Sequence, residues 1–367
     1  MKTIKNNIWL IICIILLIIL TGLVIGLVSL VKGEDSKKIV VGAVFIDDVN
    51  DSGWNEYHYN GLKKVCIDLG LRLEIATNIA ETRESAEPAI DELVQKGCST
   101  IFLTSEGFGS NLYPVMEKYK DVVFYTVSPE SDVSNANTYF CRLSEVRYLS
   151  GIVAGKMTSS NVIGFVAGGK NGQTGRSINA FTLGVRSVNP KAVVKVKYLT
   201  SWTDPEGEYQ AAKELIEQDG ADIITYHASI HTAIDAAEDL GAYSIGYNKV
   251  SKSYSDRELT AVACNWEIVY KTMLDDYIKG ANTSDQMYWI GMNSGAVKMT
   301  EYSRLVPDDV RSLVNENAKR LIRGDGVFQG DIISNTGKVM CRKGERISDV
   351  ALLTKMDWLV EGVEIDE

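Results

Sequence analysis

The chain has no basic footprint. Its 367 residues carry 38 Lys and Arg against 48 Asp and Glu, a net charge of −10, and no Lys/Arg run longer than two. That argues against nucleic acid as a partner, because such binding needs clustered positive charge. Histidine is scarce too, limited to His58, His227 and His231. The last two stand four residues apart, but no Glu accompanies them in a zinc-protease pattern, so no metal site is expected. The six cysteines (13, 66, 98, 141, 264, 341) form no CxxC and no paired spacing. They read as buried free thiols and not as a disulfide frame, which suits a bacterial-type exported protein. No Ser-His-Asp or Cys-His constellation stands out by spacing, so neither an enzyme nor a cofactor is expected.

What is present begins with Ile8–Val31, a run without charge and with little polarity beyond Thr21 and Ser29. At about 1.5 Å of rise per residue it can span a hydrocarbon core of roughly 30 Å. A signal peptide's apolar core is typically about 7–15 residues and ends at a small-x-small cleavage site. No convincing site of that kind precedes Lys32, and Cys13 follows Ile11-Ile12 where a lipoprotein would want a small residue. The expectation is a short cytoplasmic tail (1–7), an uncleaved anchor in the lipid bilayer (8–31) and a polar stalk (32–38). Lysines flank both ends of the run, so charge does not decide its orientation. The short tail favours an N-in anchor with the rest of the chain outside.

From residue 39 the pattern alternates. IVVGAVFI (39–46), LRLEIAT, STIFLTS (99–105) and VVFYTVS read as strands, with helices between them that include Ser85 to Lys96, ending at Gly97. NVIGFVAGG (161–169) opens a second series that runs through AVVKVKYLT and ADIITYH to AYSIGYN. Such alternation predicts α/β architecture: two doubly wound parallel-sheet lobes with an interlobe cleft facing the strands' carboxyl ends. About 335 residues are more than one compact core normally holds. The lobes are expected at about 39–158 plus about 262–292, and at about 159–261 plus about 293–367. The tail adds a helix over Asp308–Ile322 and a short β pair turning at Asn335-Thr336-Gly337.

Two motifs invite sharper readings. Gly164 to Asn171 matches a phosphate-binding loop at its glycines and lysine, but lacks the hydroxyl that holds Mg²⁺. A strand-end turn at the cleft accounts for it better. The patch Asp47-Asp48-Val49-Asn50-Asp51 suggests a calcium cluster, general acid/base carboxylates for nucleoside hydrolysis, or plain polar recognition of a ligand. Aromatic residues at strand ends (Trp54, Trp202, Trp266), with Phe181 opening a helix, suit the sandwiching of a flat ring.

These residues carry a family resemblance. Val41-Gly42 through Asp51-Ser52-Gly53-Trp54-Asn55-Glu56 resembles the opening of the basic membrane protein (PnrA-like) family. Ile178-Asn179-Ala180-Phe181 to Asn189-Pro190 resembles a signature of one branch, as do Ser201 to Pro205, Gly220 to His227 and Gly241 to Tyr247. So does the tail Met356 to Val363, and the likeness spans about residues 39–367. The resemblance implies a type I periplasmic-binding-protein fold and a purine nucleoside or purine base, held without chemistry for an ABC permease and its ATPase. Residue by residue, Trp54 and Phe181 would stack the base, and Asn55 and Asn179 would meet its edge. His227, Trp266, Trp202, Tyr247 and Asp51 would line the same cleft. Three positions depart from the branch. Ser229 stands where an Asp is usual, Asn248-Lys249-Val250 where an acidic residue follows the strand, and Glu106 where an aromatic is expected. Glu106 is a candidate to replace one lost carboxylate. The runner-up function is a membrane-tethered sensor using the same clamp; a nucleoside-processing enzyme ranks third.

Overall fold

The computed structural model describes residues 39–366 except 52, 129, 249–254 and 282–285. The tail, anchor and stalk expected over 1–38 lie outside the described residues, as does Cys13. Among the described residues no helix is long and apolar enough to cross a membrane.

The first series is β1 (Val40–Val44), α1 (Trp54–Asp68), β2 (Arg72–Ala76), α2 (Arg83–Gln95), β3 (Cys98–Leu103), α3 (Tyr113–Lys118), β4 (Val123–Thr126) and β5 (Ala136–Cys141). Every residue of β1 is buried, as expected of a parallel strand covered on both faces. Thr82 starts α2 by accepting the Ser85 N–H, and Gly97 stops it at φ +88°. The second series is α4 (Ser144–Met157), β6 (Val162–Ala167), α5 (Gly172–Val188), β7 (Val193–Tyr198), α6 (Pro205–Glu217), β8 (Ile223–His227), α7 (Thr232–Asp239), β9 (Tyr243–Tyr247) and β10 (Glu258–Cys264). Then come α8 (Trp266–Ile278), β11 (Met287–Ile290), β12 (Val297–Met299), α9 (Asp308–Ile322), β13 (Ile332–Ile333), β14 (Val339–Cys341), α10 (Asp349–Thr354) and β15 (Val363–Ile365).

The strands form a six-stranded sheet, ordered β11-β5-β4-β3-β1-β2, and a seven-stranded sheet, ordered β12-β10-β9-β8-β6-β7-β15. Pairing is parallel throughout except for β12 against β10. The chain passes from one sheet to the other after β5, after β10, and between β11 and β12. β13 and β14 pair antiparallel about a turn whose Gly337 sits at φ +83°. The five described cysteines are all buried and free.

The lobe boundaries differ from the sequence expectation. The sequence pattern places residues 144–157 in the first lobe, yet α4 packs on α5 of the second. Residues 262–264 likewise belong to β10 of the second sheet. Glycines explain the close helix crossing. A Cβ at Gly155 would come within 2.6 Å of Val185 O, and Cβ atoms at Gly151 and Gly184 would overlap the carbonyls of Phe181 and Tyr148. Gly184→Ala is therefore expected to cost about 3 kcal/mol, the upper end for overpacking a filled interior. Urea unfolding measures this; a loss under about 0.5 kcal/mol would show that the two helices part without strain.

Candidate functional site

The loops leaving the strands' carboxyl ends enclose a chamber of about 450 Å³ between the lobes. Ile46 and Asp47 follow β1, Ser105 to Gly107 follow β3, Trp202 follows β7, Ala228 to Ile230 follow β8, and Asn248 follows β9. A second chamber of about 870 Å³ adjoins it, and Glu106, Val127, Asn171 and Gln173 line both. The lobes touch at the first chamber: a Cβ added to Gly53 would lie 2.6 Å from Ser229 O.

On the first lobe the wall is built on the start of α1. Asp51 Oδ1 accepts the N–H groups of Gly53 and Glu56 at 2.9 and 3.0 Å. Its Oδ2 accepts the backbone N–H of Asn55 at 3.1 Å and the Asn55 Nδ2 at 2.8 Å. This carboxylate caps the helix's orphan donors, so Asp51 positions its neighbours and has little left for a ligand. Trp54 Nε1 donates to Thr104 O at 2.8 Å. The ring lies 4.2 Å from His58 and 6.1 Å from Phe140, with Trp266 edge-on at 5.6 Å. Asn55 Oδ1 is buried, with no hydrogen-bond partner among the described residues. An unmatched buried acceptor of this kind costs about 1–3 kcal/mol until a donor meets it.

On the second lobe His227 is the hub. Its Nδ1 is 2.8 Å from Ser177 Oγ and its Nε2 is 2.8 Å from the Tyr247 hydroxyl. Burial, reinforced by the positive charges of Arg147 and Arg176, holds its pKa far below the usual imidazole value, so the ring is neutral. Trp202 stands edge-on to it at 5.9 Å. Arg147, wholly buried on α4, braces this wall from behind. It donates to Thr225 Oγ1 and Tyr226 O at 3.1 and 2.6 Å, and its guanidinium lies 4.7 Å from the Tyr247 ring centroid. Burial pulls its pKa down to about 10, leaving it charged at neutral pH.

Of the residues singled out from sequence, Asp51, Trp54, Asn55, Glu106, Trp202, His227 and Tyr247 line the first chamber. Three do not. Phe181 is fully buried, edge-on to Phe165 at 5.8 Å, inside the second lobe. It lies eight residues beyond the cleft-lining Gln173 on α5, about 12 Å along the axis, so the direct stacking inferred from the resemblance is corrected. Asn179 is also buried, its amide committed to Trp358 O and the Val360 N–H at 2.9 Å each. Trp266 packs behind Trp54, its ring centroid 3.7 Å from that of His58. Sequence reasoning passed over Arg147 and Ser177, which sit on helices with no local signal of their role. Glu106 is exposed at the junction of the two chambers. Enclosure by the cleft walls raises its pKa, opposed by Arg176 opposite. At the loop resembling a phosphate site, the Asn171 side chain accepts the N–H groups of Gln173 and Thr174, occupying the start of α5.

A buried carboxyl supports the loop after β8. Glu208 on α6 is fully buried, and its Oε1 accepts the Ala233 N–H in the first turn of α7 at 3.2 Å. Burial raises its pKa to about 7, with Asp235 and Asp204 adding to the shift. The folded-state value exceeds the unfolded one, so the stabilisation is complete below about pH 4.5 and lost as pH rises through about 7. The rise from 4.5 to about 7 corresponds to on the order of 3 kcal/mol. Glu208→Gln keeps the acceptor and removes the titration. The wild-type protein is expected to lose stability between pH 5 and 8 more steeply than this variant in parallel urea titrations. Equal slopes would reject the assignment.

Residues 38–327 match the family described as ABC transporter substrate-binding protein PnrA-like. A purine-binding protein of Brucella abortus is 34% identical over 332 residues, covering 89% of this chain and 93% of that protein. A Haloferax volcanii protein, named for an ABC transporter and glucose, is 30% identical over 323 residues, covering 88% of this chain and 79% of its own. Among solved structures, a solute-binding protein of an ABC transporter system from Aeropyrum pernix aligns with TM-score 0.67 at 18% identity, covering 78% of this chain and 92% of that one. A transcriptional activator of the comK gene from Bacillus halodurans aligns with TM-score 0.69 at 22% identity, covering 78% and 98%. At those identities the likeness is one of fold. The chain belongs to the PnrA-like family of ABC transporter substrate-binding proteins.

Proposed function

We propose that the first chamber holds a purine nucleoside or purine base, which the protein delivers to its ABC permease from outside the cell. The observation that carries this reading is the pairing of an aromatic platform, Trp54, with the unmatched Asn55 Oδ1 beside it. A planar heterocycle with an N–H edge satisfies both, stacking on the indole and donating to the amide. The Tyr247 hydroxyl, held by the neutral His227, supplies a further polar contact without a net charge. The purine-binding relative supports the same class, whereas the relative named for glucose supports a sugar. In this reading residues 8–31 tether the clamp to the cell membrane beside its permease.

A thermal-shift screen of the purified protein against adenine, adenosine, guanosine, inosine, glucose and amino acids tests the ligand class. A bound compound at 100 times its Kd adds about 2.7 kcal/mol of stability. Purines are expected to raise Tm and glucose is not. A shift with glucose and none with any purine compound would replace the proposed ligand by a sugar.

A further inference from the structure

The segment after β14 is fastened to the passage between the lobes and to the second lobe at once. At the front of α10, Asp349 receives a two-pronged ion pair from Arg142, with N–O distances of 2.9 and 2.6 Å. Arg142 is the first residue beyond β5, where the chain leaves the first sheet. Its guanidinium lies 3.9 Å from the Trp289 ring centroid, and its backbone N–H donates to Ile290 O at 2.8 Å. Both of those partners belong to β11 of the first lobe. At the rear of α10, Arg176 of α5 donates from Nη1 to the carbonyls of Leu352 and Leu353 at 3.0 and 3.3 Å. Each charge sits where the helix dipole favours it, the acid at the first turn and the cation at the last carbonyls. Further on, Asn179 grips the backbone at Trp358 and Val360. The stretch between these anchors, Leu353 to Leu359, walls the second chamber.

We propose that residues 349–360 form a crossbar that couples the angle between the lobes to the shape of the second chamber, with Arg142, Arg176 and Asn179 as its positioning residues. Closure of two-lobed folds turns on the few residues where the chain passes between lobes. A bidentate guanidinium–carboxylate pair tolerates little change in geometry. A change of hinge angle that moves Arg142 relative to α5 must therefore break the pair or carry the crossbar with it. The second course reshapes the chamber wall, and the reverse holds: a chamber that grips the crossbar restrains the hinge. This goes beyond the purine reading and does not depend on it.

The test uses the ligand-free full chain. Asp349→Asn keeps the shape of the side chain and removes its charge. Spin labels on cysteines introduced as Glu84→Cys and Gln210→Cys, exposed positions on α2 and α6, report the separation of the lobes. Hydrogen exchange at the Val360 and Leu352 amides reports the crossbar. The variant is expected to exchange about tenfold faster at both amides and to broaden the label distances toward wider separation. Arg142→Lys retains the charge with one prong, and should shift both readouts in the same direction by less. Should Asp349→Asn not fold, the lysine variant alone decides, by the same two readouts. Faster exchange with unchanged label distances would make the segment a local tie only and overturn the coupling. No change in either readout would overturn it as well. Because no ligand is added, a mistaken ligand class leaves these outcomes untouched.

Discussion

Gly53→Ala is expected to weaken ligand capture by about a hundredfold while leaving each lobe intact. The added methyl would lie 2.6 Å from Ser229 O, and that oxygen belongs to the opposite lobe. Nothing within the first lobe is as close: the next atom of that lobe is Asp51 O at 3.7 Å. The clash therefore exists only when the lobes meet. Overpacking a fitted contact costs about 1–3 kcal/mol, and each 1.4 kcal/mol is a factor of ten in affinity. Closed protein becomes a small fraction of the population, and apparent affinity falls by that fraction. Calorimetry with whichever compound succeeds in the thermal screen measures the loss. Small-angle scattering should show a ligand-saturated variant that stays more extended than the saturated wild type, with an unchanged Tm for the ligand-free protein. An affinity within about threefold of wild type would mean that the contact yields freely and does not limit closure.

The architecture was legible because parallel strands covered on both faces announce themselves. VVGAV at β1 and VIGFVA at β6 are β-branched apolar runs, and the structure buries nearly all of their residues. Where polar residues are paired by distant groups, the signal fails. β5 reads ANTYFC, with Asn137 and Thr138 buried; Asn137 is satisfied by the Gln286 N–H, 149 positions away. α4 is buried on most faces, with Ser144, Arg147 and Ser150 among the buried residues, so no apolar stripe said which lobe it would cover. Only the glycine contacts with α5 decide that, and these depend on the register of two helices. The site divides in the same way. Residues placed at strand ends or just beyond them, such as Glu106, Trp202, His227 and Tyr247, reach the chamber because topology alone puts strand ends there, and Trp54 reaches it at the start of the helix that follows β1. Residues of α5 are sorted by depth along the helix, and the resemblance carried Asn179 and Phe181 without that coordinate. Trp266 fails for a related reason: α8 returns to pack on α1, turning its first residue inward behind Trp54.

The contrast between Trp54 and Phe181 yields the largest predicted effect. Trp54→Ala removes the face of the chamber on which a flat ligand would lie, and is expected to abolish the thermal shift at every concentration tested. Its cost to folding is smaller than for a fully buried tryptophan, because the residue is only half-buried where its ring meets His58, Phe140 and Trp266. About 2 kcal/mol is expected, below the roughly 3–5 kcal/mol typical of a fully buried ring. Trp54→Phe keeps a platform but loses the Nε1 hydrogen bond to Thr104 O, so binding should persist within about tenfold. Phe181→Ala should behave in the opposite manner. It empties a core position packed on Phe165, lowers stability by about 3–5 kcal/mol, and leaves the affinity of the folded fraction nearly unchanged. Measuring Kd and urea stability for the three variants side by side separates the two roles. If Phe181→Ala lost affinity in proportion to Trp54→Ala while staying folded, the second-lobe wall would have to be redrawn through α5, and Trp202, His227 and Tyr247 would lose their place opposite the indole.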